Sequence, residues 1–152
     1  GNPDNSLAHM LPDKGIISFF ANVDYFLGDM DATGEGMGEW SANSFRVLYS
    51  RDMDRLRTHK IVDEEGRDCA IPAEPLHVPQ DEEEESRVLS RPTCFVDEIE
   101  NYYPGYITLL QLDSSDRHGL RFYDGGCLFF FISPEDLREK KFEKAECAMF
   151  SM

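Results

Sequence analysis

Apolar and polar positions follow strand-like patterns most clearly in the last third of the chain. Residues 106–112 form a short apolar run between Pro104-Gly105 and an acidic turn, which is typical of a strand. Residues 118–123 alternate with the period of two that a half-buried strand requires. Residues 127–132 are wholly apolar, as in a central strand covered on both faces. The intervening Asp-Gly-Gly at 124–126 predicts a hairpin turn.

Two helices are predicted in the same half of the chain. Ser133 and Pro134 indicate a helix start, because serine caps the free N–H groups and proline suits the first helical position. Residues 92–103 place apolar side chains on one helical face and end at Pro104-Gly105. Residues 146–152 alternate again and predict a last strand.

The first half of the chain predicts fewer elements. Residues 15–23 and 44–50 read as strands, and the long segment 24–40 between them reads as a loop. Prolines confine residues 70–78 to an edge strand or an extended segment. We therefore predict a single α+β domain over residues 1–152, mainly antiparallel β-sheet with two or three short helices.

Several segments resemble the YwqG-like family of bacterial proteins, whose function is unassigned. The resemblance lies in the Leu-Leu-Gln-Leu-Asp of 109–113, the aromatic-Asp-x-Gly element at 123–126, the apolar run 128–132 and the N-terminal segments 11–20 and 45–49. Family members usually carry Trp-Gly-Asp-Ala-Gly where this chain has Phe-Tyr-Asp-Gly-Gly, which weakens the idea of a fixed tryptophan site. The resemblance implies a fold but no activity, and it is compatible with an immunity role beside toxin genes.

A short repeat points to an internal duplication. Gly15–Phe20 and Gly126–Phe131 both fit Gly-x-[Ile/Leu]-x-Phe-Phe. In the resembling family a Leu-rich strand precedes each such strand, and this chain has that strand only before the second copy. We therefore expect a truncated first repeat that lacks an N-terminal segment, and a Gly15 strand with an exposed edge that pairs with a second copy of the chain. The alternative is a shorter fold that closes without the missing strand.

Charge and composition exclude several partners. Thirty acidic residues against 15 basic ones give a formal net charge of -15, which repels nucleic-acid phosphates and favours basic protein partners. No apolar run approaches the length of a membrane-spanning helix, and no signal peptide is visible, so we expect a cytoplasmic protein that does not bind membranes. The four cysteines lie far apart and are expected to be free thiols.

Acidic residues around the predicted hairpin are the first candidate site. Asp113, Asp116 and Asp124 would hold a cation if they converged, whereas turn formation explains the same residues without a ligand. The four histidines are scattered, and none stands at metal-ligand spacing from another histidine or a cysteine. We therefore expect no metal and no cofactor.

Aromatic residues of the 24–40 loop are the second candidate site. Tyr25, Phe26 and Trp40 form an interaction patch if they are exposed, or fold back onto the core. Residues 29–34 imitate the start of a calcium loop, but Trp40 stands where a bidentate glutamate is needed.

These observations favour a non-enzymatic protein-interaction domain, because no catalytic motif is present and the charge suits a basic partner. One alternative is an enzyme or a small-ligand or cation-binding protein with a site near the 24–40 loop and the 113–126 turns. A calcium-dependent module that uses the same acids is a further alternative.

Overall fold

The structure, a computed structural model, describes residues 9–23, 35–68, 87–115 and 122–152. These residues contain seven strands and two helices. The strands are β1 (Ile16–Ala21), β2 (Gly38–Glu39), β3 (Phe45–Ser50), β4 (Arg87–Ser90), β5 (Ile107–Asp113), β6 (Cys127–Ile132) and β7 (Glu146–Phe150). The helices are α1 (Val96–Tyr102) and α2 (Pro134–Arg138), and single 3-10 turns cover Met53–Arg55 and Phe142–Lys144. The predicted α+β fold with mainly antiparallel strands is confirmed. None of these helices is long and apolar enough to cross a membrane.

A five-stranded antiparallel sheet forms the centre of the fold, in the order β2-β7-β6-β5-β4. Strand β6 is buried along its whole length and pairs with β5 on one side and β7 on the other. The wholly apolar run at 127–132 thus marks a central strand, as predicted, because both of its faces meet other side chains.

The two faces of this sheet are covered by different elements. On one face Phe130 contacts Phe19 of β1 and Phe45 of β3, with ring centroids 5.1 Å and 6.3 Å apart. The antiparallel pair β1–β3 therefore packs its inner side chains against the sheet. On the opposite face Phe129 and Phe131 lie beneath Ile99 and Tyr103, which the segment of α1 supplies.

The predicted turn at 124–126 is present, but the predicted hairpin is wrong. The N–H of Gly126 donates to the carbonyl of Phe122 at 2.7 Å, and a Cβ on Gly126 would lie 2.6 Å from that same oxygen. Both edges of β6 are occupied by β5 and β7, so neither edge is open to a further strand. Most of the predicted strand 118–123 lies outside the described residues, and Phe122 belongs to the buried core.

The two copies of the repeated motif occupy different positions in their sheets. Gly126 precedes β6, which has a strand on each side, whereas Gly15 precedes β1, which among the described residues pairs with β3 alone. Both glycines stand where a Cβ would collide with a backbone oxygen, that of Ser50 at 2.4 Å in the case of Gly15. The similar local packing is compatible with a duplication, which stays a prediction.

The start of α2 follows the predicted capping pattern. The Oγ of Ser133 accepts a hydrogen bond from the N–H of Asp136 at 3.1 Å and donates to Oδ2 of the same residue at 2.7 Å. Pro134 occupies the first turn, where its missing N–H costs nothing. Helix α1 is shorter than the predicted 92–103 segment and begins after Phe95, whose φ of 53° is left-handed.

Candidate functional site

Among the predicted interaction residues that the structure describes, Trp40 is not exposed. Trp40 is only 3% exposed, and its indole N–H donates to the carbonyl of Gly36 at 2.9 Å. Of the two alternatives for this aromatic, folding back onto the core is therefore the one observed. Tyr25, Phe26 and Asp116 lie outside the described residues.

The two remaining predicted residues differ in their surroundings. Asp124 is exposed in the turn before β6. Asp113 ends β5, is partly buried and lies close to the thiols of Cys94 and Cys127. Within the described residues Asp113 thus groups with two sulfur atoms.

The end of the 24–40 loop does meet the 113–126 turns. A Cβ built on Gly36 would lie 3.7 Å from the hydroxyl oxygen of Tyr123. Glu35 accepts hydrogen bonds from the hydroxyls of Ser41 and Ser44, and these bonds hold the pKa of its carboxyl below the ordinary value. The carboxylate is thus tied to its own loop.

A second group of polar side chains has the stronger features of a site. We call it the tyrosine–carboxylate cluster, and its members are Tyr103, Tyr106, Glu39, Asp136 and Glu146. The register pairs Glu39 with Ala148, and Glu146 lies two residues before Ala148 on β7, so both glutamates lie on the sheet face that α1 covers. Tyr103 and Tyr106 lie at the end of α1 and just before β5, and Asp136 lies in the first turn of α2.

Ring contacts fix the two tyrosines of the cluster. The Tyr103 ring stacks on Phe131 with a centroid distance of 4.5 Å, and the Tyr106 ring meets Tyr103 edge-on at 5.8 Å. The hydroxyl of Tyr106 donates to Oε1 of Glu146 at 2.9 Å. Tyr103 is only 5% exposed, and its hydroxyl has no hydrogen-bond partner within the described structure.

Burial and nearby carboxylates disfavour ionisation of both tyrosines. Burial raises the pKa of Tyr103, and the carboxylates of Glu39 and Glu146 raise it further because a phenolate beside them would be repelled. The hydrogen bond to Glu146 raises the pKa of Tyr106, with smaller contributions from Asp136 and Glu39. The cluster therefore combines phenol hydroxyls with negative charge.

Lys141 lies near part of this charge: its pKa is raised mainly by its ion-pair partner Glu139 and further by Asp136 of the cluster. The ion pairs in the described ranges join Arg55, Arg67 and Lys141 to acids outside the cluster. A buried hydroxyl without a partner costs about 1–3 kcal/mol. An arrangement of carboxylates around such a hydroxyl can accept a positively charged group with several N–H donors.

The sequence offered no signal for this cluster. Its five members come from β2, the end of α1, the residue before β5, the start of α2 and β7, and apart from Tyr103 and Tyr106 they are distant in the sequence. The Tyr102-Tyr103 pair was visible only as part of an apolar helical face. Only strand register brings Glu39 and Glu146 to one face.

Comparison with known proteins adds a family of unknown function. Residues 75–149 match the model of a family described as a domain of unknown function (DUF1963). This range contains β4 to β6, α1, α2 and all of β7 but its last residue, and every member of the cluster except Glu39. A search of curated proteins finds no match to the chain. The finer resemblance to the YwqG-like family stays a prediction.

Proposed function

We propose that the chain is a protein-interaction domain that binds a basic partner, and that the tyrosine–carboxylate cluster receives an arginine side chain of that partner. The observation that carries the proposal is the buried hydroxyl of Tyr103, which lacks a partner while Glu39 and Glu146 lie near it. A finer form of the proposal, supported by the resemblance alone, is an immunity protein that neutralises a basic toxin.

The shape of the cluster favours guanidinium over a metal ion. The carboxylates of Glu39, Asp136 and Glu146 do not converge within the 4.8 Å that a group of metal ligands requires. A guanidinium presents five N–H donors in a planar fork, so it can reach separated acceptors at the same time. The rings of Tyr103 and Tyr106 add the aromatic surface on which cations are held.

Net charge supports the same class of partner. With a formal charge of -15, the chain attracts basic surfaces over a distance and speeds the encounter with them. Long-range attraction alone does not specify a site, however. The proposal therefore has to be tested against a change of equal charge elsewhere on the surface.

The test measures binding of an arginine-rich peptide by isothermal titration calorimetry. We expect the double variant Glu39→Gln/Glu146→Gln to weaken binding about tenfold, which is about 1.4 kcal/mol. The glutamine placed at position 146 keeps an oxygen that accepts from Tyr106, so the change removes charge with little change in shape. The control Asp13→Asn/Glu64→Gln removes two exposed charges outside the cluster. An equal loss in both double variants would show that net charge alone attracts the peptide.

A single variant separates recognition from stability. Tyr103→Phe removes the unpartnered hydroxyl, so we expect the free chain to gain about 1 kcal/mol in unfolding free energy. The same variant is expected to bind the arginine-rich peptide more weakly, because one acceptor of the guanidinium is lost. A Tyr103→Phe variant that is less stable and binds equally well would contradict the proposed site.

A second candidate function is self-association through β1. Among the described residues β1 has a strand on one side only, and Ile16 and Phe20 point outward, with Phe20 56% exposed. A second copy of the chain is the occupant that the repeated motif favours, since the equivalent strand β6 is paired on both sides. We expect light scattering to show a dimer that Phe20→Lys dissociates and the exposed control Met37→Lys does not. A monomeric wild-type chain at all concentrations would refute it.

A further inference from the structure

Two thiols and a carboxylate meet at one end of the central sheet. Asp113 and Cys127 are opposite each other in the register of β5 and β6, and Cys94 approaches from the segment before α1. The two sulfur atoms lie 2.8 Å apart, and one donor atom from each of the three residues lies within 4.8 Å of the others. We call Cys94, Asp113 and Cys127 the thiol–carboxylate cluster. Among the described residues it is the one group of three His, Cys, Asp or Glu side chains that converges in this way.

Gln111 holds this cluster in position. Its side chain is fully buried, and its Nε2 donates to Oδ1 of Asp113 at 2.7 Å and to Oγ1 of Thr93 at 2.8 Å. Its Oε1 accepts from the backbone N–H of Thr93 at 3.2 Å. One amide therefore fixes both the carboxylate and the loop that carries Cys94. Such outer hydrogen bonds are typical of side chains that orient metal ligands.

The Cys127 thiol resists ionisation in this cluster. The contact with Cys94, burial and the neighbouring Asp113 all raise the pKa of the Cys127 thiol. A carboxylate beside a thiol makes a thiolate costly unless a positive charge lies between them. A divalent cation reverses this relation, because each anionic donor then stabilises the complex.

We propose that Cys94, Asp113 and Cys127 bind a divalent, thiol-seeking cation, for which zinc is the best match. Two thiolates and one carboxylate are donors that zinc accepts, whereas calcium and magnesium require oxygen alone. Three protein ligands leave a fourth tetrahedral position for water or for a donor from a partner. Binding converts the two thiols to thiolates and releases their two protons to solvent.

The cluster needs a small adjustment to hold the ion. With Zn–S bonds of about 2.3 Å and tetrahedral angles, the two sulfur atoms stand about 3.8 Å apart. This is about 1 Å more than the observed 2.8 Å. Cys127 is fixed in β6 and buried, whereas Cys94 is partly exposed on a segment outside the helices and strands, so Cys94 is the ligand that moves.

A disulfide between Cys94 and Cys127 is the competing use of the same sulfurs. It would remove two electrons and two protons from the thiols and transfer them to an oxidant such as a small-molecule disulfide. Asp113 has no part in that reaction. The position of Asp113 and its fixation by Gln111 therefore favour the cation.

The experiment titrates the reduced, metal-free chain with zinc chloride alone, and with cobalt chloride as a spectroscopic probe. We expect one ion per chain, an intense near-ultraviolet thiolate band with cobalt, and proton release that changes the apparent enthalpy between buffers. Asp113→Asn is expected to lower the zinc affinity by about 10-fold or more, and Cys94→Ser to remove the thiolate band of a two-sulfur site. Cys147→Ala, which removes a thiol outside the cluster, should bind as the wild type does.

Three results would overturn the proposal. The first is a reduced wild-type chain that binds no zinc. The second is a Cys94→Ser variant that binds zinc with unchanged affinity. The third is a purified chain that carries a Cys94–Cys127 disulfide in its mass spectrum and gains no zinc affinity on reduction, which would identify a redox pair. Since Cys94 is partly exposed, its serine variant is expected to fold, and circular dichroism checks this directly.

Discussion

Replacing Gln111 by methionine tests whether one buried amide joins the segment before α1 to the sheet. Methionine has a similar volume, so the substitution removes hydrogen bonds and leaves little empty space. Four hydrogen bonds disappear: two to Thr93, one to the carboxylate of Asp113 and a weak one to the thiol of Cys94. A neutral hydrogen bond contributes about 0.5–1.5 kcal/mol and one to a charged group about 1.5–3 kcal/mol. Water can reach the exposed Thr93 in the variant, so we expect the lower part of the range, a loss of about 3 kcal/mol.

Urea unfolding with a metal chelator present measures this loss. A destabilisation of about 3 kcal/mol lowers the melting temperature by about 6–12 °C in a chain of this size. The control Thr93→Val removes the hydroxyl but keeps the backbone N–H bond, so it is expected to cost about 1 kcal/mol. Because both variants break the Thr93–Gln111 contact, their double variant should lose less than the sum of the two. A Gln111→Met variant within about 0.5 kcal/mol of wild type, or strictly additive losses, would refute the role of the amide.

Three further predictions concern stability. Folding raises the pKa values of Cys147, Tyr103 and Tyr106, so at high pH the folded chain keeps protons that the unfolded chain loses. The free energy of unfolding should therefore fall as the pH rises above 9.0, which is the ordinary pKa of a thiol. The urea midpoint at pH 8 and pH 10 measures this fall, and an unchanged midpoint would contradict it. Ser133→Ala removes the cap of α2 and should lower the free energy of urea unfolding by about 1 kcal/mol. An unchanged free energy of unfolding would show that the cap does not stabilise the chain. Gly126→Ala forces a Cβ against two backbone oxygens and should cost about 3 kcal/mol by the same assay, whereas the control Gly36→Ala, with ordinary contacts, should be nearly neutral.

Local patterns in the sequence predicted several elements correctly. The apolar run at 127–132 predicted the central strand, and the Ser133-Pro134 pair predicted the start of α2. These features are local, because side-chain alternation and capping involve residues only a few positions apart. The net charge could also be read directly from the sequence, which predicted the turn at 124–126 before β6. For the same reason the predictions of fold class and of turn position were right.

Those local patterns did not predict which distant strands pair with each other. The turn at 124–126 predicted a hairpin with the segment before it, but β6 pairs with β5 and β7. A glycine turn fixes where the chain reverses, whereas the choice of partner depends on how much apolar surface the whole sheet buries. The Leu-rich β5 offers a buried face along most of its length.

The candidate sites belong almost entirely to the tertiary structure. The sequence by itself determined the number of acidic residues, the apolar strands and the presence of cysteines. Metal-ligand spacing gave no signal because Cys94 and Cys127 are 33 positions apart. Only the antiparallel register sets Cys127 opposite Asp113, and only the segment before α1 brings in Cys94. Strand register and packing depend on many contacts between residues that are distant in the sequence. The assembled sheet therefore determines which side chains meet at each site.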